Sequence, residues 1–461
     1  MDLSYMKTAE VGIPEDLERL KWTGRIKEYE KTAQLHLQRE DLPEAVKKCI
    51  VLELRKMKVN AAEYPLTEEE LIAQFAEVAP GFCKDDLEKL ALDLDWAYVE
   101  GEKRYFGATR SALLKSSPLL RNWPGLKIEI SDGDWVRKTT SKIKEQGKMR
   151  IEAEVEKTIE VSEEAAAGHH LRIDIPFPSP KGSIMKAAEF ISAEGDVKIA
   201  REDAYARTAV FEADGDERRS FSVRYRTEME IEYRSFEDFL AAREKNGITS
   251  NLPNADIRED DLLENSPAVM FTPFIRALSE KIVGDETDKI VIAKKIYDYM
   301  LEHYRYSYVK DYAAIDSVGE YFALRGRGDC GLQSMLFITL CRYNGIPARW
   351  ESGVTVEEDG TGCHDWALVY LEGTGWRPVD CSFGGGAMVF DNREGADFYF
   401  GNIDPYRIIF NTKEMADFEP PKKQFRFDPY DSQVGEGETE ERMLENAELK
   451  KTTKLIYCRE I

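Results

Sequence analysis

No stretch of this sequence stays apolar long enough to span a bilayer, and its opening, MDLSYMKTAEVGIPEDL, lacks the basic segment and apolar run of a secretory signal. The expectation is a cytoplasmic protein. There is no Cys-x-x-Cys pair. The seven cysteines, at 49, 83, 330, 341, 363, 381 and 458, are odd in number and scattered, which fits reduced thiols better than a disulfide framework. Low-complexity tracts are absent, so a folded protein is expected. A basic excess is absent as well: 87 acidic against 64 basic side chains give a net charge of −23, which repels polyphosphate and argues against nucleic acid or an anionic membrane as partner. What the chain does have is length, 461 residues, enough for about three domains.

The pattern changes along the chain. Residues 1–124 read as helical and charged. TEEELIAQFAEVA carries a capping signature at Thr67 and Glu70, and a hairpin is expected to turn at Glu100-Gly101. Helix, helix and hairpin in that order suggest a winged-helix outline, but the acidic surroundings favour a helical accessory domain over DNA binding. NWPGL at 122–126 reads as a linker. Residues 125–235 then alternate apolar and polar positions between turns, as in RIEAEVEKTIEV and SFSVRYRTEMEIEY, which predicts an antiparallel β-sandwich. His169 and His170 begin one of its strands; neighbours there point to opposite faces, so both read as structural rather than as metal ligands.

Helices return in residues 236–430. DETDKIVIAKKIYDYMLEHYRYSY has a stripe of Ile290, Ala293, Ile296, Tyr297 and Met300 or Leu301, with His303 near the C-terminal end in a capping role. Residues 431–461, charged and poor in large apolar side chains, are expected to form a surface-lying or mobile tail.

The chemistry concentrates in GRGDCGLQSMLFITLCRYNGIPAR, residues 326–349. Cys330 stands where a glycine-rich turn gives way to a helix apolar nearly all round, ended by Asn344-Gly345 and Pro347. A thiol there feels the positive end of the helix dipole and unpaired amide hydrogens, which favour the attacking thiolate, and the Cys330 amide suits an oxyanion. A lone cysteine is more often an inert buried thiol, so a base must shift the balance. CHDWALVYLEGTGWRPVDCSF supplies one, with His364 opening a strand and Asp380 closing its neighbour. A tight turn centred on Gly373-Thr374 would set His364 and Asp380 on opposite faces; a bulge near Pro378 is therefore expected to bring them to one face. A zinc site built from Cys330, Cys363, His364, Asp380 and Cys381 fails, because adjacent residues of a strand point apart and no paired spacing is present. Cys363 and Cys381 are placed to face each other behind these residues. Trp350, Trp366 and Trp376 read as packing.

These three stretches, GDCGLQSMLFITLCRYNGIPAR, CHDWALVYLEGTGWRPVD and FGNIDPYRIIFN, resemble the cysteine, histidine and aspartate boxes and trailing segment of bacterial transglutaminase-like proteins. That superfamily includes transglutaminases, peptide N-glycanases and proteases. The resemblance covers about residues 260–412 and implies an α+β multidomain protein: a helical N-terminal region, a β-sandwich, and a papain-like core whose cysteine helix packs on an antiparallel sheet. It implies Cys330 as nucleophile, His364 as general base and then acid, and Asp380 as orienting carboxylate, with no metal or cofactor. VDCSFGG stands where the family often has Asp-Pro. The expected activity is hydrolysis of an amide bond in a peptide or modified peptide through a thioester, with a peptide or protein as partner. The alternatives are acyl transfer to an amine and an inactive scaffold. The second oxyanion donor is not fixed by spacing: Gln333 comes too late, and the tyrosines of YRYSYVKDY are candidates.

Overall fold

A computed structural model of the chain describes residues 12–128, 133–246, 256–357 and 360–461. Two compact units emerge. One holds the described part of Met1–Asp132 with Arg305–Asp316 and Arg327–Asp329; the other holds Gly133–Tyr304, Ser317–Gly326 and Cys330–Ile461.

In the first unit the capping signature forms as read: Thr67 Oγ1 accepts from the Glu70 amide at 3.2 Å, and the Thr67 amide donates to Glu70 at 2.8 Å. The hairpin Trp96–Val99 and Glu102–Tyr105 turns on Glu100 and Gly101, both at positive φ. Two apolar clusters hold this unit, one around Leu17, Tyr29 and Ile50, the other around Leu71, Phe75 and Leu120. NWPGL is no free linker: Trp123 packs on the ring of Phe82 and donates to the Pro80 carbonyl at 3.1 Å.

The second unit contains the sandwich, two four-stranded antiparallel sheets. Strand Lys148–Val161 pairs with Ser220–Glu232 along its whole length, and Ile151, Ala153 and Val155 meet the core while Arg150 and Glu152 face out. Ring pairs Phe211–Phe221 and Phe177–Tyr225, each 5.5 Å apart, join the two sheets. The charged segment after residue 431 is not a tail. Glu436–Thr439 pairs with the strand His170–Pro176, and Leu449–Glu460 pairs with Lys148–Val161, so each forms an edge of one sheet. Composition misleads here because the charges are used inside. Glu436 accepts from Lys422 at 2.9 Å and Arg426 at 2.7 Å, all three well buried. On the last strand Leu449, Lys451, Thr453 and Leu455 supply the inward alternation that large apolar residues usually provide.

The remaining sheet has the strand order 375–379, 360–371, 348–357, 407–411, all antiparallel. Helix Cys330–Tyr343 packs on it, buried from Cys330 through Arg342, and Gly345 at φ 67° ends it. Helix Lys289–His303 packs beside it, with both Met300 and Leu301 in the buried stripe; His303 Nδ1 lies 3.0 Å from the Tyr299 carbonyl in the last turn. At Gly353 a side chain would place its Cβ 1.9 Å from the Ile408 carbonyl oxygen, so glycine lets the strand Arg407–Asn411 close on the sheet where the register shifts. The fold is thus α+β, with helices on antiparallel sheets.

Candidate active site

The first question is how His364 and Asp380 come to one face. The register runs Leu371 opposite Gly375 and Ala367 opposite Val379 without interruption, so no bulge forms at Pro378. The extra residue sits in the turn instead: Glu372, Gly373 and Thr374 form a three-residue loop, with Gly373 at φ 77° and Gly375 at φ 99°. A Cβ on Gly373 would meet the Arg243 backbone at 2.6 Å, which fixes that turn to glycine. Asp380 then falls across from Trp366, on the face that His364 shares by strand alternation. Pro378 is tolerated because its strand is a sheet edge.

His364 Nε2 and Asp380 Oδ2 are 2.8 Å apart, with His364 5 % exposed and Asp380 fully buried. Asp380 is held from three sides. Its Oδ1 accepts from the Phe383 amide at 2.9 Å, capping the helix Cys381–Val389, and Arg407 Nη1 donates to Oδ2 at 2.5 Å. Burial alone would raise the Asp380 carboxyl, but the charges of His364 and Arg407, the His364 hydrogen bond and the Phe383 amide outweigh it and hold it well below the ordinary range. Arg407 is itself fully buried and turns its other edge to Asp404, at 2.6 and 3.1 Å. Its guanidinium lies over Phe383, Trp366 and Tyr399, at 4.4 to 5.8 Å from the ring centroids. A continuous buried relay therefore runs Asp404, Arg407, Asp380, His364.

Trp366 extends the support. Its indole donates to Glu351 Oε2 at 2.9 Å, and Glu351 also takes the amide and hydroxyl of Ser183, each at 2.7 Å. Burial pushes the Glu351 carboxyl up to about 7 against these donors.

Cys330 is the first residue of its helix, 8 % exposed. Its thiol donates to Asp365 Oδ2 at 3.2 Å, the residue that follows His364 in the chain. Asp365 Oδ1 in turn accepts from Gln433 Nε2 at 2.5 Å, and the same amide donates to the His364 carbonyl at 3.0 Å. His364 and Asp380 are thus directly joined, and the sulfur of Cys330 is brought to the next residue along the histidine strand.

Other expectations change. Cys363 and Cys381 do not face each other: Cys381 is buried with its sulfur 3.9 Å from that of Met300, while Cys363 is exposed. The reason is that the helix beginning at Cys381 turns its first side chain into the helical layer. None of the seven cysteines is joined in a disulfide. Of the candidate tyrosines, Tyr304 is buried against Phe322, whereas Tyr306, Tyr308 and Tyr312 belong with the first unit. Trp350 and Trp366 are fully buried, and Arg349 covers the Trp376 ring at 4.1 Å. Sequence reasoning gave no role to Arg407, Asp404, Asp365, Asp431 or Gln433. The available signal for two of them was a charged residue inside an otherwise apolar run, Asp365 in HDWALVY and Arg407 in RIIFN.

Residues 276–381 match the model of the transglutaminase-like superfamily. A search of curated proteins finds no match. Among solved structures, the chain is similar to a conjectured cysteine protease from Cytophaga hutchinsonii, with 14 % identity over 68 % of this chain and 91 % of that one and a TM-score of 0.44. It is also similar to the periplasmic domain of TgpA from Pseudomonas aeruginosa, with 12 % identity over 59 % of this chain and 99 % of that one and a TM-score of 0.27. Among the described residues, no helix is long and apolar enough to cross a membrane. The segment that holds Cys330, His364 and Asp380 is thus the one that matches the transglutaminase-like superfamily.

Proposed function

We propose that this protein is a cysteine hydrolase that cleaves an amide bond of a peptide or modified peptide through a thioester intermediate. With Nε2 of His364 engaged by Asp380, Nδ1 is the nitrogen left to take the thiol proton of Cys330. The sulfur forms a bond to the amide carbon, while the Cys330 amide at the helix start donates to the oxygen that gains charge. The C–N bond breaks as His364 returns its proton to the leaving amine. Water then attacks the thioester and gives a proton to His364; the C–S bond breaks, and the thiol is restored as the acid product leaves. Asp380 and Arg407 keep the imidazole in one tautomer and orientation throughout.

The observation that supports this most directly is the 2.8 Å hydrogen bond between His364 and Asp380, buried and backed by Arg407. The test is intact-mass analysis during turnover of a panel of peptide amides, with a labelled primary amine present. A transient acyl adduct mapped to Cys330, followed by a free carboxylate, is the expected result. A stable amide with the labelled amine would instead establish acyl transfer. No adduct on Cys330 and no product from any amide would leave the scaffold role.

A further inference from the structure

A carboxylate whose position is set by the C-terminal segment lies in contact with the Cys330 sulfur. Asp365 accepts from the Cys330 thiol at 3.2 Å and from the Gln433 amide at 2.5 Å, and Asp431, a buried acid, lies close enough to feel its charge. Burial, and then the charge of Asp365, push the Asp431 carboxyl well above its ordinary range. The segment that supplies Asp431 and Gln433 is firmly tied. Ser432 and Asn411 exchange hydrogen bonds at 3.2 and 3.0 Å, Arg426 donates to the Asp431 carbonyl at 2.7 Å, and the buried Lys157 donates to the Gln433 carbonyl at 2.9 Å.

A carboxylate beside a sulfur opposes thiolate formation by like-charge repulsion and favours the thiol by accepting its proton, whereas the helix N-terminus acts the other way. We propose that Asp365 is a positioning residue for the nucleophile: held by Gln433, its carboxylate keeps the Cys330 sulfur as a hydrogen-bonded thiol and opposes the thiolate that the helix start favours. The proton is thereby kept on sulfur until His364 removes it during attack. The titratable and charged groups near this pair include His364 and Cys363 on the histidine strand, Asp380 and Arg407 behind His364, Asp431, Asp428 and Arg426 on the C-terminal segment, and Lys157 and Lys451 on the sandwich strands. The effect is assigned to Asp365 because its Oδ2 accepts from the Cys330 thiol at 3.2 Å.

The inference rests on Cys330 as the nucleophile, but its test needs no substrate. The rate of iodoacetamide alkylation at Cys330 is followed against pH on the full chain by peptide mapping. Asp365→Asn is expected to move the midpoint down by about one unit, about a tenfold faster reaction well below the midpoint. Gln433→Ala, which frees the carboxylate without removing it, moves the midpoint the same way by less. Asp431→Asn, which keeps the side chain's shape beside Asp365, leaves it in place. A midpoint that stays or rises in both Asp365→Asn and Gln433→Ala overturns the inference, as does an Asp431→Asn shift equal to that of Asp365→Asn. A protein that hydrolyses amides but shows no such shift sinks this inference alone; a protein with the shift but no Cys330 adduct sinks the hydrolase reading alone.

Discussion

The outer face of the sandwich and the cysteine-bearing core handle charge in opposite ways. Across the outer face of the sandwich, ion pairs such as Arg150–Glu228 and Lys450–Glu160 sit in water with both partners partly exposed. In the core, Arg407 with Asp380 and Asp404, and Arg342 with Glu414, are almost completely buried. An exposed pair contributes little and tolerates loss; a buried one costs desolvation and is useful chiefly where it fixes geometry. In this molecule the costly pairs lie behind His364, at the C-terminal half of the cysteine helix and where Lys422 and Arg426 fold onto the edge strand at Glu436, the places where an orientation has to be kept. The contrast teaches that buried pairs fix position, while those on the outer face of the sandwich serve solubility.

The largest expected effect comes from the sandwich edge. Deleting Leu449–Ile461 removes a strand of 12 residues paired along Lys148–Val161, and the cooperative thermal transition of the second unit is expected to vanish. A truncated protein that melts like the full chain would return this segment to the status of an appendage. Next is Arg407→Met, which leaves the buried carboxylates of Asp380 and Asp404 without their cation. A loss of about 3–5 kcal/mol in urea unfolding is expected. A loss under about 1 kcal/mol, the range of exposed pairs, would erase the contrast.

The third concerns Glu351. Its carboxyl stands at about 7 in the folded protein, against an ordinary value near 4.3 when unfolded. The folded state therefore holds a proton that the unfolded chain has released, and stability falls as pH rises through that window, by up to about 1.4 kcal/mol per unit. Asp174, raised to about 6, adds a slope of the same sign, so the comparison is between wild type and Glu351→Gln. The variant is expected to show a visibly flatter decline in stability between pH 5 and 7; parallel curves would contradict the assignment. The smallest effect belongs to Arg150→Ala, expected within about 1 kcal/mol of wild type, and more than that would show that the outer face of the sandwich also depends on its charges.

How much of this is legible in sequence depends on the range of the interaction. Local signals carry through: the Thr67–Glu70 box, the Glu100-Gly101 turn, the helix end at Asn344-Gly345, and the alternation that makes Lys148–Val161 a strand. The pairing of His364 with Asp380 is readable because both lie in one hairpin, although EGTG does not say whether two or three residues make the turn, and that ambiguity displaces the extra residue from Pro378 to the loop. Partners distant in the chain are not readable. Nothing near Asp380 points to Arg407, and nothing near Asp365 points to Gln433, 68 residues away. Glu436 looks solvated by composition and is buried because Lys422 and Arg426 fold back onto it.

The central claim is that the sulfur of Cys330 is a nucleophile served by His364. Its most direct measurement is labelling of the full protein with limiting chloroacetamide at neutral pH, read by peptide mapping across all seven cysteines. The account predicts that Cys330, although 8 % exposed, is labelled ahead of the exposed Cys83 and Cys363, and that His364→Ala abolishes this preference. Labelling that follows exposure, and is the same with or without the imidazole, would contradict it.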